Sequence, residues 1–281
     1  MQKMTEPRRI IEPTRGWRFL DIRELAHYRE LVFFLTWRDI KVRYKQTAVG
    51  VAWAVLQPLA MMLVFTLFFG RLAQIDTKVD VPYPLFAFAG LLPWQLFART
   101  LSETTNSLVT DQRLVTKVYF PRIIVPTSYC LAAILDFLIG AVLLIGLMLW
   151  YGVAPGWAVF ALPVFIALMF ITTLGVGYWL SALNTEYRDV AYVVPFLVQC
   201  WLFLTPVVYP SSMVPAAWRW LLGLNPMSGV VEGLRWCLLG QGDPPGPMII
   251  VSASIAVAVF ISGIIWFRWR ERTFVDALGG Q

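Results

Sequence analysis

Apolar residues gather along the chain into six runs, at roughly residues 51–70, 85–109, 122–150, 158–181, 190–208 and 248–267. Coiled as a helix, each is long enough to cross a hydrocarbon core of about 30 Å. The third is longer than a crossing needs, which predicts a tilted helix or one that begins in the interface after Pro121. Residues 218–239 are also apolar, but Gly223, Asn225, Pro226 and Gly229 interrupt them and Arg219, Glu232 and Arg235 punctuate them. Each half would measure about 15 Å as helix, half the core, so a re-entrant hairpin or an interfacial pair is expected rather than a seventh crossing. Ahead of the first run, Phe33, Trp37, Ile40 and Tyr44 recur at helical spacing while Arg38, Lys41 and Lys45 point elsewhere. That is the pattern of an amphipathic helix on the membrane surface, loosened by Leu31, Val32 and Leu35 around its first turns.

Charge orients this pattern. Of the 23 Lys and Arg, eleven precede residue 51. With six crossings and the amino end inside, Arg113, Lys117, Arg122, Arg188, Arg268, Arg270 and Arg272 join them on the cytoplasmic side. A seventh crossing would place the basic carboxyl end outside. No cleavable signal peptide is evident, because the first long apolar run follows a strongly charged stretch. The expected fold is therefore an all-α polytopic membrane protein. Residues 1–50 form a cytoplasmic segment with the interfacial helix. Residues 51–268 form six transmembrane helices with re-entrant helices in the last outer loop, and residues 269–281 a cytoplasmic tail. Both ends are expected inside the inner (plasma) membrane.

Composition agrees: 58% of residues are hydrophobic and 14% charged, against about 25% charged in an ordinary soluble domain. The formal charge of +6 is confined to particular segments rather than gathered on one folded face, so no nucleic-acid partner is implied. Cys130 and Cys200 lie in apolar runs and Cys237 stands alone, which suggests neither a disulfide framework nor a zinc site. His27 is the only histidine, and no catalytic or metal-binding constellation is visible.

No stretch reads Gly, four residues, Gly, Lys, Ser or Thr, so an ATP-driven process would require another chain to bind the nucleotide. Residues 111–122, between the second and third runs, form a short amphipathic segment suited either to docking or to an ordinary basic loop. Arg99 and Glu103 stand four residues apart, as an internal ion pair would. Asp136, deep in the third run, should face protein or a watery cavity, with a helix-packing or a pathway role. Gln199, Trp201, Phe203, Thr205, Pro206 and Tyr209, followed by Trp218 and Trp220, combine aromatic faces with hydrogen-bonding groups. Such a cluster suits sugars, although single tryptophans also serve as interfacial anchors.

The ordered motifs Arg38-Asp39-Ile40-Lys41-Val42-Arg43-Tyr44-Lys45-Gln46-Thr47 with Gly50, Trp53, Gln57 and Pro58, then Gly90-Leu91-Leu92-Pro93-Trp94, continue through Leu114-Val115-Thr116-Lys117-Val118-Tyr119-Phe120-Pro121-Arg122. Asn184 with Tyr187-Arg188-Asp189-Val190, Thr205-Pro206-Val207-Val208-Tyr209 and Asn225-Pro226 complete the set. Over nearly its full length the chain resembles the permease subunits of ABC-2 type exporters of polysaccharides such as O-antigen, capsule or teichoic acid.

That resemblance implies no enzyme activity in this chain and no cofactor of its own, with ATP and magnesium held by a separate subunit. Two copies of the chain would enclose a channel above two copies of the ATPase, and a glycan on a polyprenyl pyrophosphate, among membrane lipids, would be the cargo. Residues 111–120 would be the coupling helix, with Asp111, Arg113, Leu114, Thr116, Lys117, Tyr119 and Phe120 facing the ATPase, joined by Tyr187, Arg188 and Asp189. Trp53, Trp94, Phe97, Gln199, Trp201, Phe203 and Tyr209 would line the substrate path. Arg38, Lys41 and Arg43 would draw in the anionic head group. The competing readings are an ABC exporter of another lipid or drug, a membrane enzyme acting on lipid-linked sugars, and a channel or ion-coupled transporter.

Overall fold

The computed structural model describes residues 27–45, 50–73, 81–240, 246–274 and 277, and every regular element among them is helical. Residues 1–26 and 278–281, which the sequence assigns to the cytoplasmic segments, lie outside the described residues, as do Gln46, Thr47 and Lys78. The elements in order are α1 (Arg29–Lys45), α2 (Gly50–Phe65, continued as a π-helix over Thr66–Leu72), α3 (Tyr83–Thr110), α4 (Gln112–Lys117) and α5 (Ile124–Tyr151). They continue with α6 (Leu162–Glu186, entered by a 3-10 turn over Trp157–Ala161), α7 (Val190–Leu204), α8 (Arg219–Gly223), α9 (Pro226–Leu239) and α10 (Gly246–Arg270).

Local chemistry sets these bounds. Proline falls in the first turn of α3, α6 and α9, where its missing N–H costs no helical bond. Asn225 caps α9, its side-chain oxygen accepting from the Met227 N–H at 3.0 Å. Gly152 and Gly240 end α5 and α9 with φ of 68° and 63°, a left-handed conformation that a side chain would oppose.

Among the described residues, four segments are both long and apolar enough to cross a membrane: Val55–Leu72, Ile124–Tyr151, Trp157–Glu186 and Gly246–Arg270. The two other expected crossings are present as helices, each lacking one property. α3 has 28 residues, about 42 Å of helix, but carries Arg99 and Glu103. α7 is apolar but has 15 residues, about 22 Å. On α5, Leu138, Val142, Ile145 and Leu149 form a bare stripe at helical spacing, a surface suited to hydrocarbon.

α3 is the central element: it packs against α2, α5, α6, α7 and α9, which is why most of its length is buried. α6 lies between α3 and α10. A second core cluster joins Leu35 of α1, Leu108 of α3, Val115 of α4, Ile124 of α5, Tyr178 of α6 and Phe267 of α10. It brings the carboxyl ends of α3, α6 and α10 to the amino end of α5. Arg113, Lys117, Arg122, Arg188, Arg268 and Arg270 all stand near it in sequence, so this is the basic end of the molecule.

Two expectations change. α1 forms, but its apolar residues do not gather into one stripe: Leu35 is buried, while Phe33, Phe34, Trp37 and Val42 are exposed. The reason is that α1 packs along α5 and turns cations toward the protein. Residues 218–239 break at Leu224 and Asn225 as expected, yet Gly229 lies within α9 and breaks nothing. A Cβ there would meet Cβ of Ser252 at 2.6 Å, so this glycine serves the α9–α10 contact.

A tighter crossing joins α6 to α10, where a Cβ on Gly175 would stand 2.7 Å from the backbone nitrogen of Phe260. Gly175→Val must push the two helices apart, at a cost of about 1–3 kcal/mol. A lowered melting temperature in detergent is the expected outcome. Gly146→Ala, whose Cβ would meet nothing within 4 Å, should leave it unchanged.

Candidate functional site

At the basic end, Asp111 forms the corner between α3 and α4. Its N–H bonds the Ser107 carbonyl at 2.9 Å, and its own carbonyl accepts from Leu114 and Val115 at 2.9 and 3.1 Å. Its carboxylate takes the Arg38 guanidinium at 2.6 Å. Along the elbow, Val115 and Phe120 are buried and Leu114 is half-buried, while the Thr116 hydroxyl returns to the Gln112 carbonyl at 2.9 Å. Arg113 and Lys117 are exposed, and Tyr119 is 73% exposed. Phe120, expected on the ATPase-facing side, instead sits 4% exposed in the core beneath the elbow and anchors it.

Tyr187, Arg188 and Asp189, between α6 and α7, are also exposed. They lie at the same end because α6 is held to α3: the Asn184 amide donates to the Thr105 carbonyl at 3.1 Å and to Asn106 at 3.3 Å. Nearby, the Arg122 backbone N–H and guanidinium bond Glu271, each at 2.7 Å, and Arg270 pairs with Glu186. These bonds gather two exposed, polar and aromatic patches on one rigid end.

Two cations of α1, Arg38 and Arg43, are engaged within the protein. Arg38 binds Asp39 at 2.7 Å as well as Asp111, and Ser128 of α5 donates to Asp39 at 3.3 Å. Burial pushes the Asp39 carboxyl above its ordinary range, and Arg38 opposes that shift. Arg43 bonds both Glu103 of α3 and Asp136 of α5, and the Tyr44 hydroxyl donates to Asp136. Arg99 completes the group, 3.0 Å from Glu103 and 3.6 Å from Asp136. Lys41 is exposed, its ammonium 5.5 Å from the Trp37 ring centre. The Arg99–Glu103 pair and a protein-facing Asp136 were legible from sequence; the α1 residues that complete them were not.

Toward the other end, Trp94, Phe97 and Trp201 form a continuous aromatic row, with ring centres 5.5 and 5.1 Å apart. Trp94 and Phe97, expected to line a path, are buried in the core because the inward side of the central helix carries them. Trp201 is half-buried and its indole N–H donates to Asn225 at 3.0 Å. Gln199 and Phe203 are exposed on α7, and the Tyr209 hydroxyl donates to the Phe203 carbonyl at 3.1 Å. The Trp53 side chain lies outside the described residues.

The charge network makes a prediction. Arg43→Gln and Asp136→Asn should each lower the melting temperature, and the double variant should lose less than their sum. Contacting charges in one network couple by about 0.5–3 kcal/mol. Strict additivity in a double-mutant cycle would show that the contact carries no such coupling.

Residues 30–239 match the model of the ABC-2 type transporter family. Over 260 residues the chain is 30% identical to the O-antigen export system permease protein RfbA of Myxococcus xanthus, covering 92% of this chain and 98% of that protein. It is 25% identical over 248 residues to the polysialic acid transport protein KpsM of Escherichia coli, covering 85% and 93%. It is 23% identical over 226 residues to the inner membrane transport permease YadH of Escherichia coli K12, covering 75% and 84%. The match to the family model spans α1 through α9, including the elbow, the charge network and the aromatic row, and the chain belongs to the ABC-2 type transporter family.

Proposed function

We propose that this chain is the membrane subunit of an ATP-driven exporter that moves a lipid-linked polysaccharide across the inner membrane through a channel made by two copies. The relatives named for O-antigen and polysialic acid transport carry the substrate class, and RfbA of Myxococcus xanthus aligns from nearly end to end. ATP and magnesium belong to a separate ATPase, since the chain has no phosphate-cradling loop of its own.

In this reading the basic end faces the cytoplasm and six helices cross, with α3 accepted as a crossing because its charges are neutralised by neighbours. α7 reaches across with the help of the turn that follows it over residues 205–209, and α8 and α9 form the re-entrant pair at the outer mouth. The exposed Arg113, Lys117 and Tyr119 and the half-buried Asp111 dock on the ATPase together with Tyr187, Arg188 and Asp189, while Leu114, Thr116 and Phe120 stiffen the elbow. Gln199, Trp201, Phe203 and Tyr209 face the path, and Trp94 and Phe97 back them from the core. Head-group attraction falls chiefly to Lys41, because Arg38 and Arg43 already bind carboxylates.

The exposed aromatic elbow resting on a buried anchor carries this reading, because such a side chain has no partner role within the protomer. Co-purification from native membranes should return an ATPase with a phosphate-binding loop in a two-plus-two complex. Tyr119→Cys should cross-link to that ATPase, and Arg113→Glu with Lys117→Glu should reduce its recovery severalfold. A chain that purifies alone from several mild detergents would overturn the proposal.

A further inference from the structure

Between α7 and the turn at Ser211–Met213, the chain leaves the helix at Thr205 inside a largely buried environment: Thr205 and Val207 are inaccessible and Val208 is 1% exposed. Carbonyls freed by a helix end must find donors when water is excluded. Here each one does. The Trp201 carbonyl accepts from the Thr205 hydroxyl at 2.9 Å, and the Leu202 carbonyl from the Thr205 N–H at 3.3 Å. Phe203 accepts from Tyr209 at 3.1 Å, Leu204 from the Asn225 amide at 3.3 Å, and Thr205 from the Val207 N–H at 2.6 Å.

The next three carbonyls are held by other elements. Arg235 of α9 donates to Pro206 at 2.6 Å and to Val207, and its Nε reaches the Phe86 carbonyl of α3 at 3.2 Å. The Tyr83 hydroxyl, at the start of α3, donates to Val208 at 2.7 Å. Arg235 is 6% exposed, its guanidinium lies 3.8 Å from the Phe86 ring centre, and all three of its hydrogen bonds go to carbonyls. Gly90 makes room for this arrangement, since a Cβ there would strike Arg235 and come within 2.7 Å of the Val207 carbonyl.

We propose that Arg235 and Tyr83 latch the outer mouth of the transport path: they clamp residues 206–208 to α3 and α9 at rest, and release them when ATP binds. This rests on the exporter reading above. Hydrogen bonds suit a latch because they switch off over a small displacement, whereas apolar contacts slide. The two are positioning residues and touch no substrate.

The test uses the complete complex in right-side-out vesicles with Val208→Cys in a Cys200→Ser background, because Cys200 is exposed while Cys130 and Cys237 are buried. A membrane-impermeant sulfonated maleimide reports exposure of the thiol introduced at position 208. The parent should label slowly at rest and roughly tenfold faster with ATP and vanadate trapped inside, the factor expected from loss of one or two hydrogen bonds. Tyr83→Phe and Arg235→Lys should label fast without nucleotide. Equal parent labelling in the two states, or variants that label like the parent, would overturn the latch. Labelling of Cys130 alongside the introduced thiol would mean general unfolding and count against it equally. Should Arg235→Lys fail to insert, Tyr83→Phe decides alone, since it removes one oxygen. Failure of the exporter reading shows separately, as absence of a co-purifying ATPase.

Discussion

A polar group in hydrocarbon or in a packed interior has to find its partner within the protein, and much of this structure follows from meeting that demand twice. The first case is ionic: Asp136 and Glu103 sit on helices that otherwise pack in an apolar bundle, and they are met by Arg43, Arg99 and Tyr44. The second is a backbone case, where the helix end at Thr205 is met by Tyr209, Asn225, Arg235 and Tyr83. Both sets draw donors from elements distant in sequence, so satisfying the local group also fixes the tertiary arrangement. α1 is held to the bundle by the first set, and α9 to α3 and α7 by the second.

α3 takes part in both. Its carboxyl end is the Asp111 corner bound to Arg38, and its amino end supplies Tyr83 and the Phe86 carbonyl to the carbonyl cluster. A continuous helix of 28 residues therefore joins the elbow proposed to meet an ATPase to the segment proposed to close the outer mouth. Pro93 lies in its interior, where the ladder lacks a donor and a bend is mechanically easiest. Displacement at one end has a packed route to the other, through a helix whose neighbours lie on nearly every side.

Much of the fold was legible because apolar runs and helix stops are local. The six runs coincide with helices to within a few residues, and Asn225 with Pro226 marks a break that is present. What could not be read is which side of a helix meets which neighbour. Trp94 and Phe97 resemble path residues by type, yet their place on the central helix buries them. Arg43 and Asp136 lie 93 residues apart, so no periodicity links them. Arg235 appeared as a charge that spoils a crossing; its role depends on carbonyls 28 and 29 residues earlier, just past the end of α7. The aromatic, exposed Tyr119 and the buried Phe120 are adjacent in one motif, and only the packing of the elbow separates the exposed ring from the buried anchor.

The same neutralisation changes how α1 should be viewed. As a sequence it reads as a cationic strip on the membrane, with Arg38, Lys41 and Arg43 available to an anionic head group. In the fold, Arg38 faces two carboxylates and Arg43 two more, so their positive potential is largely spent before it reaches the surface. Lys41 and Lys45 are the exposed lysines of the helix, and their compact ammonium groups suit attraction of a diffuse, mobile phosphate better than a fixed bidentate grip. An anionic lipid arriving at α1 would thus be steered by exposed lysines, while Arg38 holds the helix at the corner where α3 turns into α4 and Arg43 holds it to the sides of α3 and α5. Entry and coupling would then use different side chains of one helix, which allows the cargo's charge to vary without loosening the joint to the elbow.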